Sequence, residues 1–395
     1  MAMSAVHTAR TEPPAFLTLA FRPFFFATSL WSTLALTLWI AMLMTGVGLP
    51  SRFDPLTWHI HEMLFGFVPA AIAGFLLTAI PNWTGRTPIQ GTPLASLLVL
   101  WLLGRIACLI SALLPFWLAA LTDLAFPFVL CLLAVREIIA ARNWRNLAMP
   151  VPIAVLGIAD FVMYLENADF PVPAGLGWRL GLVATIVLIS VIGGRIIPSF
   201  TRNWLIQRGK TPRAANHNRI DRAALGVLHS GLVGWAFFPA LRPLGALLIL
   251  AAALNLWRLM RWRGFATLQE PLLAILHVGY LWAILGAALL GAAILTHAMP
   301  EAAAIHAFTA GAIGTMVLAV MTRVSRGHTG RALTADRVTT LMYLSITAAA
   351  VSRVAAAFAG ESSLLLLGIS AVLWAASFAL FAASYGPMLI LPRVD

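Results

Sequence analysis

Twelve long apolar runs, separated by short polar turns, decide what this chain can fold into. A hydrocarbon layer about 30 Å thick takes about 20 apolar residues per helical crossing. On that measure, spans fall near 24–46, 58–80, 94–113, 116–140, 147–166, 178–200, 221–239, 242–262, 270–294, 302–322, 336–359 and 363–391. All must be helical, because unpaired backbone groups and open sheet edges are not viable in lipid. The composition agrees: 61% of the 395 residues are apolar, 10% are charged, and the mean hydropathy is +0.91. The expected fold is therefore an all-α polytopic membrane protein, with a polar tail over residues 1–23 and one integral membrane domain over 24–395. The tail lacks an apolar core followed by a small-residue cleavage site, so a cleaved signal peptide is not expected.

A net charge of +12 could suggest nucleic acid, but its distribution follows the alternation of the spans. The tail, the even-numbered loops and the C-terminus hold 21 of the 26 Lys and Arg residues; Arg52, Arg105, Arg179, Arg242 and Arg353 are the rest. Positive loops stay on the cytoplasmic side. Both termini are thus expected in the cytoplasm; in a bacterium the membrane would be the inner one. The basic loop near 201–222 reads as a surface for anionic lipid headgroups, with no nucleic-acid recognition fold beside it. Cys108 and Cys131 lie at unequal distances from the turn at Pro115. Neither a disulfide nor a Cys-x-x-Cys metal site is expected.

The spans also carry an internal repeat. At an offset of 245, His61 aligns with His306, Gly66 with Gly311, and Thr84-Gly85-Arg86 with Thr329-Gly330-Arg331. At an offset of 117, the Ile80-Pro81 pair aligns with Ile197-Pro198. Pro23, Pro150 and Pro271 precede the first, fifth and ninth spans at similar spacing. The pattern predicts three four-helix repeats.

Within this apolar chain the segment Trp58-His59-Ile60-His61-Glu62 places two imidazoles and a carboxyl where a run enters lipid. Ionisable groups at that depth mark a functional site by default. In a regular helix His59 and His61 sit about 200° apart, so they cannot face one ion. Either the first turn is irregular or the two histidines serve different partners. His59, His61 and His306 lie near the outer ends of their spans, whereas His229 and His277 lie near the midplane of the seventh and ninth. Two depths suit two metal centres, although a lone intramembrane His is ordinarily a hydrogen-bonded packing residue. His7, His217, His297 and His328 are expected in solvated loops. Trp58, Trp83, Trp101 and Trp178 read as interfacial anchors. Gly66, Gly311 and Gly314 read as packing positions that would equally admit a flat macrocycle. Arg195 and Arg323 either neutralise haem propionates or snorkel to lipid phosphate. Arg105 and Arg353, deeper, need partners, with Asp123, Asp160 and Glu62 as candidates.

The chain resembles the NnrS family of bacterial haem- and copper-containing membrane proteins. The matching pieces include Phe21-Arg22-Pro23-Phe24-Phe25, the Trp58–Gly66 run, Arg195-Ile196-Ile197-Pro198-Ser199-Phe200-Thr201, Leu276-His277-Val278-Gly279-Tyr280, and Met321 through Arg331. The resemblance implies a part in the response to nitric oxide in denitrifying or nitrosatively stressed bacteria. It leaves open reduction, binding and sensing of the gas. On this reading His229 and His277 are the expected ligands of haem, taken to be b-type. His59, His61 and His306 are expected to hold copper or a second haem, and Glu62 is a proton donor or supporting group. Electrons would come from quinol or a separate redox protein. A twelve-span transporter or metal carrier, and a cofactor-bound sensor or assembly factor, are the alternatives.

Overall fold

A computed structural model describes residues 13–210, 218–296 and 298–394. Among them every regular element is helical, and twelve rods run in chain order. These are α1 (Phe21–Thr45), α2 (Pro55–Thr84), α3 (Thr92–Leu109), α4 (Phe116–Ala140), α5 (Val151–Asn167) and α6 (Leu176–Gln207). They continue as α7 (Arg219–Phe237), α8 (Arg242–Arg261), α9 (Pro271–Thr296), α10 (Glu301–His328), α11 (Arg337–Ala356) and α12 (Ser363–Ile390). Each corresponds to one span expected from hydropathy. Eleven are long and apolar enough to cross a membrane; α7 falls outside that set because Arg219, Asp221 and Arg222 stand at its start. The protein is a polytopic helical membrane protein.

The rods begin and end where local chemistry requires. Asp54 caps α2 by accepting from the amides of Leu56 and Thr57, with Pro55 in the first turn where no amide is needed. Asn218 and Asp221 form a reciprocal capping box on α7. Gly85 and Gly330, at φ +69° and +80°, follow α2 and α10 in the left-handed conformation that glycine adopts without strain.

Packing repeats every four rods. The first rod of each group lies against its own second rod and against the last rod of the group before: α1 on α2 and α12, α5 on α6 and α4, α9 on α10 and α8. The third and fourth rods of each group pair as hairpins. The second rods, α2, α6 and α10, touch one another at the centre and, with Phe25 of α1 and Ile153 of α5, line an apolar cavity of about 90 Å³. Phe75, Ile192 and Val320 are among its walls.

One feature of α2 and α10 is invisible to hydropathy. Each begins as α-helix, opens into a π-helical segment, Glu62–Phe67 and Ala307–Gly314, and resumes as α-helix. The two segments start at the same offset of 245 that aligns His61 with His306. The central rod α6 is continuous, so the correspondence with the middle group is weaker.

Candidate functional site

The regular turns of Pro55–His61 put the two histidines of α2 on opposite faces and so in two environments, the second of the two outcomes expected from the sequence. His59 faces a cavity of about 380 Å³ bounded by α1, α2, α6, α10, α11 and α12. Its ring stacks on Trp39, with centroids 4.0 Å apart, and its Nδ1 is buried without a hydrogen-bond partner. His306 lines the same cavity from α10. Its Nδ1 lies 2.7 Å from the carbonyl of Ala302, which fixes the proton there and leaves Nε2 as the free acceptor. Arg353 and Glu301 reach the same space, and among the described residues no carboxylate lies within ion-pairing distance of Arg353. Two imidazoles, a cation and a carboxyl therefore share one otherwise apolar chamber.

His61 turns the other way, into a closed cluster built by α1 to α5. Its Nε2 lies 2.8 Å from Asp160 Oδ1 and 3.2 Å from Asp123 Oδ2, and its Nδ1 lies 3.2 Å from Glu62 Oε1 and 3.4 Å from Cys108 Sγ. Arg105 donates to Glu62 at 2.7 Å and also pairs with Asp123. Tyr164 donates to Asp123 and Trp31 to Glu62, at 2.9 and 2.8 Å. His61, Glu62, Asp123 and Cys108 are fully buried. Arg105 thus finds two of the carboxylates named as its candidate partners. Cys108, set aside on sequence because it belongs to no Cys-x-x-Cys motif, sits against His61.

The structure does not bring His229 and His277 together. His229 Nε2 meets Ser190 at 2.8 Å and His277 Nε2 meets Thr201 at 3.0 Å. Those hydroxyls are eleven residues apart on α6, about 16 Å along a helix rising 1.5 Å per residue. Arg195 donates to Asn146, and Arg323 stacks over the Phe200 ring at 4.1 Å. Neither lines the His59–His306 cavity. His328 is half-buried with its ring 5.6 Å from Phe21, whereas His7, His217 and His297 lie outside the described residues.

Two sets of expectations about neutral residues divide. Trp58 and Trp101 are not interfacial anchors: both are buried, and Trp101 donates to the carbonyl of Gly66, within the π-helical segment. Gly66, Gly311 and Gly314 are packing positions. A Cβ on Gly311 would meet the Trp282 ring at 2.6 Å, and one on Gly314 the Trp374 ring at 2.3 Å.

No curated protein matches the chain. The family described as NnrS protein matches it over residues 15–393, nearly its full length, and the chain belongs to that family.

Proposed function

We propose that this protein binds nitric oxide at a haem held in the cavity between His59 and His306, and so helps to remove the gas from the membrane. The observation that carries the reading is the pair of imidazoles facing one chamber, one with a buried unpartnered nitrogen and one with its tautomer fixed toward the space. Neutral imidazole is a suitable ligand for haem iron and for copper. The volume lies within the range of about 300–1,000 Å³ usual for cofactor sites. Arg353 supplies the charge that a propionate needs, in the place that Arg195 and Arg323 were expected to fill. When bound, the iron supplies the site at which the gas is held. Copper, also implied by the family resemblance, would take whichever imidazole the haem leaves. The apolar interior admits a small uncharged gas, and Trp39 and Arg353 orient what the histidines hold.

The test is the reduced-minus-oxidised optical spectrum of the purified protein, with and without nitric oxide. A haem band that shifts with the gas, is lost or displaced in His59→Ala and His306→Ala, and persists in His229→Ala and His277→Ala is the expected result. A band unchanged in folded His59→Ala and His306→Ala protein would overturn it. A carrier reading draws on the matched interruptions of α2 and α10, since broken helices in corresponding positions flank substrate sites in transporters. Metal uptake into vesicles by haem-free protein would favour that reading.

A further inference from the structure

The His61 cluster carries a charge imbalance that its protein groups leave in place. Glu62, Asp123 and Asp160 are three carboxylates with side chains 0–1% exposed, and one guanidinium, that of Arg105, contacts Glu62 and Asp123. With His61 neutral, two negative charges remain in a closed pocket within the membrane, where unpaired charge is most costly. Asp160 Oδ2 is buried and has no hydrogen-bond partner, though its other oxygen is 2.8 Å from His61. A neutral imidazole donates from only one of its two ring nitrogens and leaves one side of the cluster without a proton, and an imidazolium donating from both would still leave one negative charge. Two carboxylates crowd Nε2, while Glu62 and Cys108 crowd Nδ1.

The spacing fits a different occupant. Donors held about 2.1 Å from one first-row ion stand about 3.0–3.4 Å apart in octahedral or tetrahedral shells. The His61–Asp160 and His61–Asp123 separations of 2.8 and 3.2 Å are close to that range. We propose that His61 Nε2, Asp123 and Asp160 bind one divalent first-row transition ion, at a site separate from the His59–His306 cavity. A divalent ion cancels the two unpaired charges with His61 neutral, and it gives Asp160 Oδ2 a partner. One imidazole with carboxylates selects Mn²⁺, Fe²⁺ or Zn²⁺ over cuprous copper. Arg105 and Tyr164 then act as positioning residues: both bond Asp123 and hold its carboxylate toward His61. The inference stands whether or not a haem occupies the neighbouring cavity.

The experiment is metal analysis of the full-length protein, purified from cells supplied with Mn²⁺, Fe²⁺ and Zn²⁺ and dialysed against EDTA, with haem iron counted separately and subtracted. About one equivalent of manganese, zinc or non-haem iron per chain is expected, falling at least fivefold in Asp160→Asn and in Asp123→Asn. Asp160→Asn is nearly isosteric and breaks only the bond to His61, so a monodisperse variant is expected even where Asp123→Asn misfolds. His306→Ala, which alters only the other cavity, should retain the ion. An ion-free wild type, an ion retained in folded Asp160→Asn, or copper as the retained ion would each overturn the proposal.

Discussion

At the scale of single residues, the informative positions are those where one atom separates a tolerated change from a damaging one. Gly66 lies inside the π-helical segment of α2, and a Cβ there would stand 2.6 Å from Arg105 Nη1 and Glu62 Oε2 and 2.8 Å from Trp31 Nε1. All three belong to one hydrogen-bonded set around a buried carboxylate, so none can move without breaking a charge-assisted bond. Gly66→Ala should therefore destabilise the protein by about 1–3 kcal/mol, the range for overpacking a tight site. Gly226, in the interior of α7, has nothing within 4 Å of the same added atom. Gly226→Ala should be neutral or stabilising by up to about 1 kcal/mol through helix propensity. Thermal unfolding in detergent measures both, and equal shifts would refute the steric account. The sequence made His61 and Glu62 legible as a buried polar pair. It could not show that Asp123, Asp160 and Cys108 converge on them, because those side chains arrive from three other rods at separations of up to 99 residues.

At the scale of elements, hydropathy located every rod because lipid imposes one length and one hydrogen-bonding solution on all of them. It missed the π-helical segments because one residue of slack in a helix leaves the apolar content unchanged. That slack falls just after His59 and His61, whose opposite directions follow from the regular turns of Pro55–His61. The start of α2 is set by Asp54, which lies outside the membrane-spanning segment. Burial pushes its carboxyl up, but the hydroxyl of Thr57 and the amides of Thr57 and Leu56 outweigh that and hold it below its ordinary value. A depressed carboxyl contributes stability that is fully present above its unfolded pKa of about 3.9 and is lost as pH falls through the lower folded value. Asp54→Ala should thus cost about 1 kcal/mol at pH 7, as for other capping residues. The gap should close as the pH is lowered below about 4. Melting curves of the two proteins that stay apart at acid pH would show that Asp54 acts through something other than its charge.

At the scale of the whole molecule, the repeat and the charge distribution describe the same architecture from two sides. The offset of 245 carried a histidine, a glycine and a helix-ending Thr-Gly-Arg from α2 to α10, and the structure adds the matched π-helical segments and left-handed glycines. The middle group was faint in sequence, and α6 shows why: it keeps the interior proline but runs unbroken for 32 residues. Four rods per group bring the chain back to the same face after each repeat, so twelve bring the two ends of the bundle together. Arg22, at the start of α1, donates to the carbonyls of Leu389 and Leu391 at the end of α12, at 2.9 and 2.6 Å. On the same face the end of α2 meets the α4–α5 turn, where Asn143 donates to the carbonyl of Trp83. That face carries most of the arginines, and the rule that basic loops are retained predicts that it faces the cytoplasm. Single cysteines at two exposed positions test the orientation: Thr87 after α2 and Ala174 before α6. In intact cells a membrane-impermeant maleimide should label Ala174→Cys and spare Thr87→Cys, and inverted vesicles should reverse the pattern. Labelling of Thr87→Cys from outside would place the basic face, and both ends of the bundle with it, on the opposite side of the membrane.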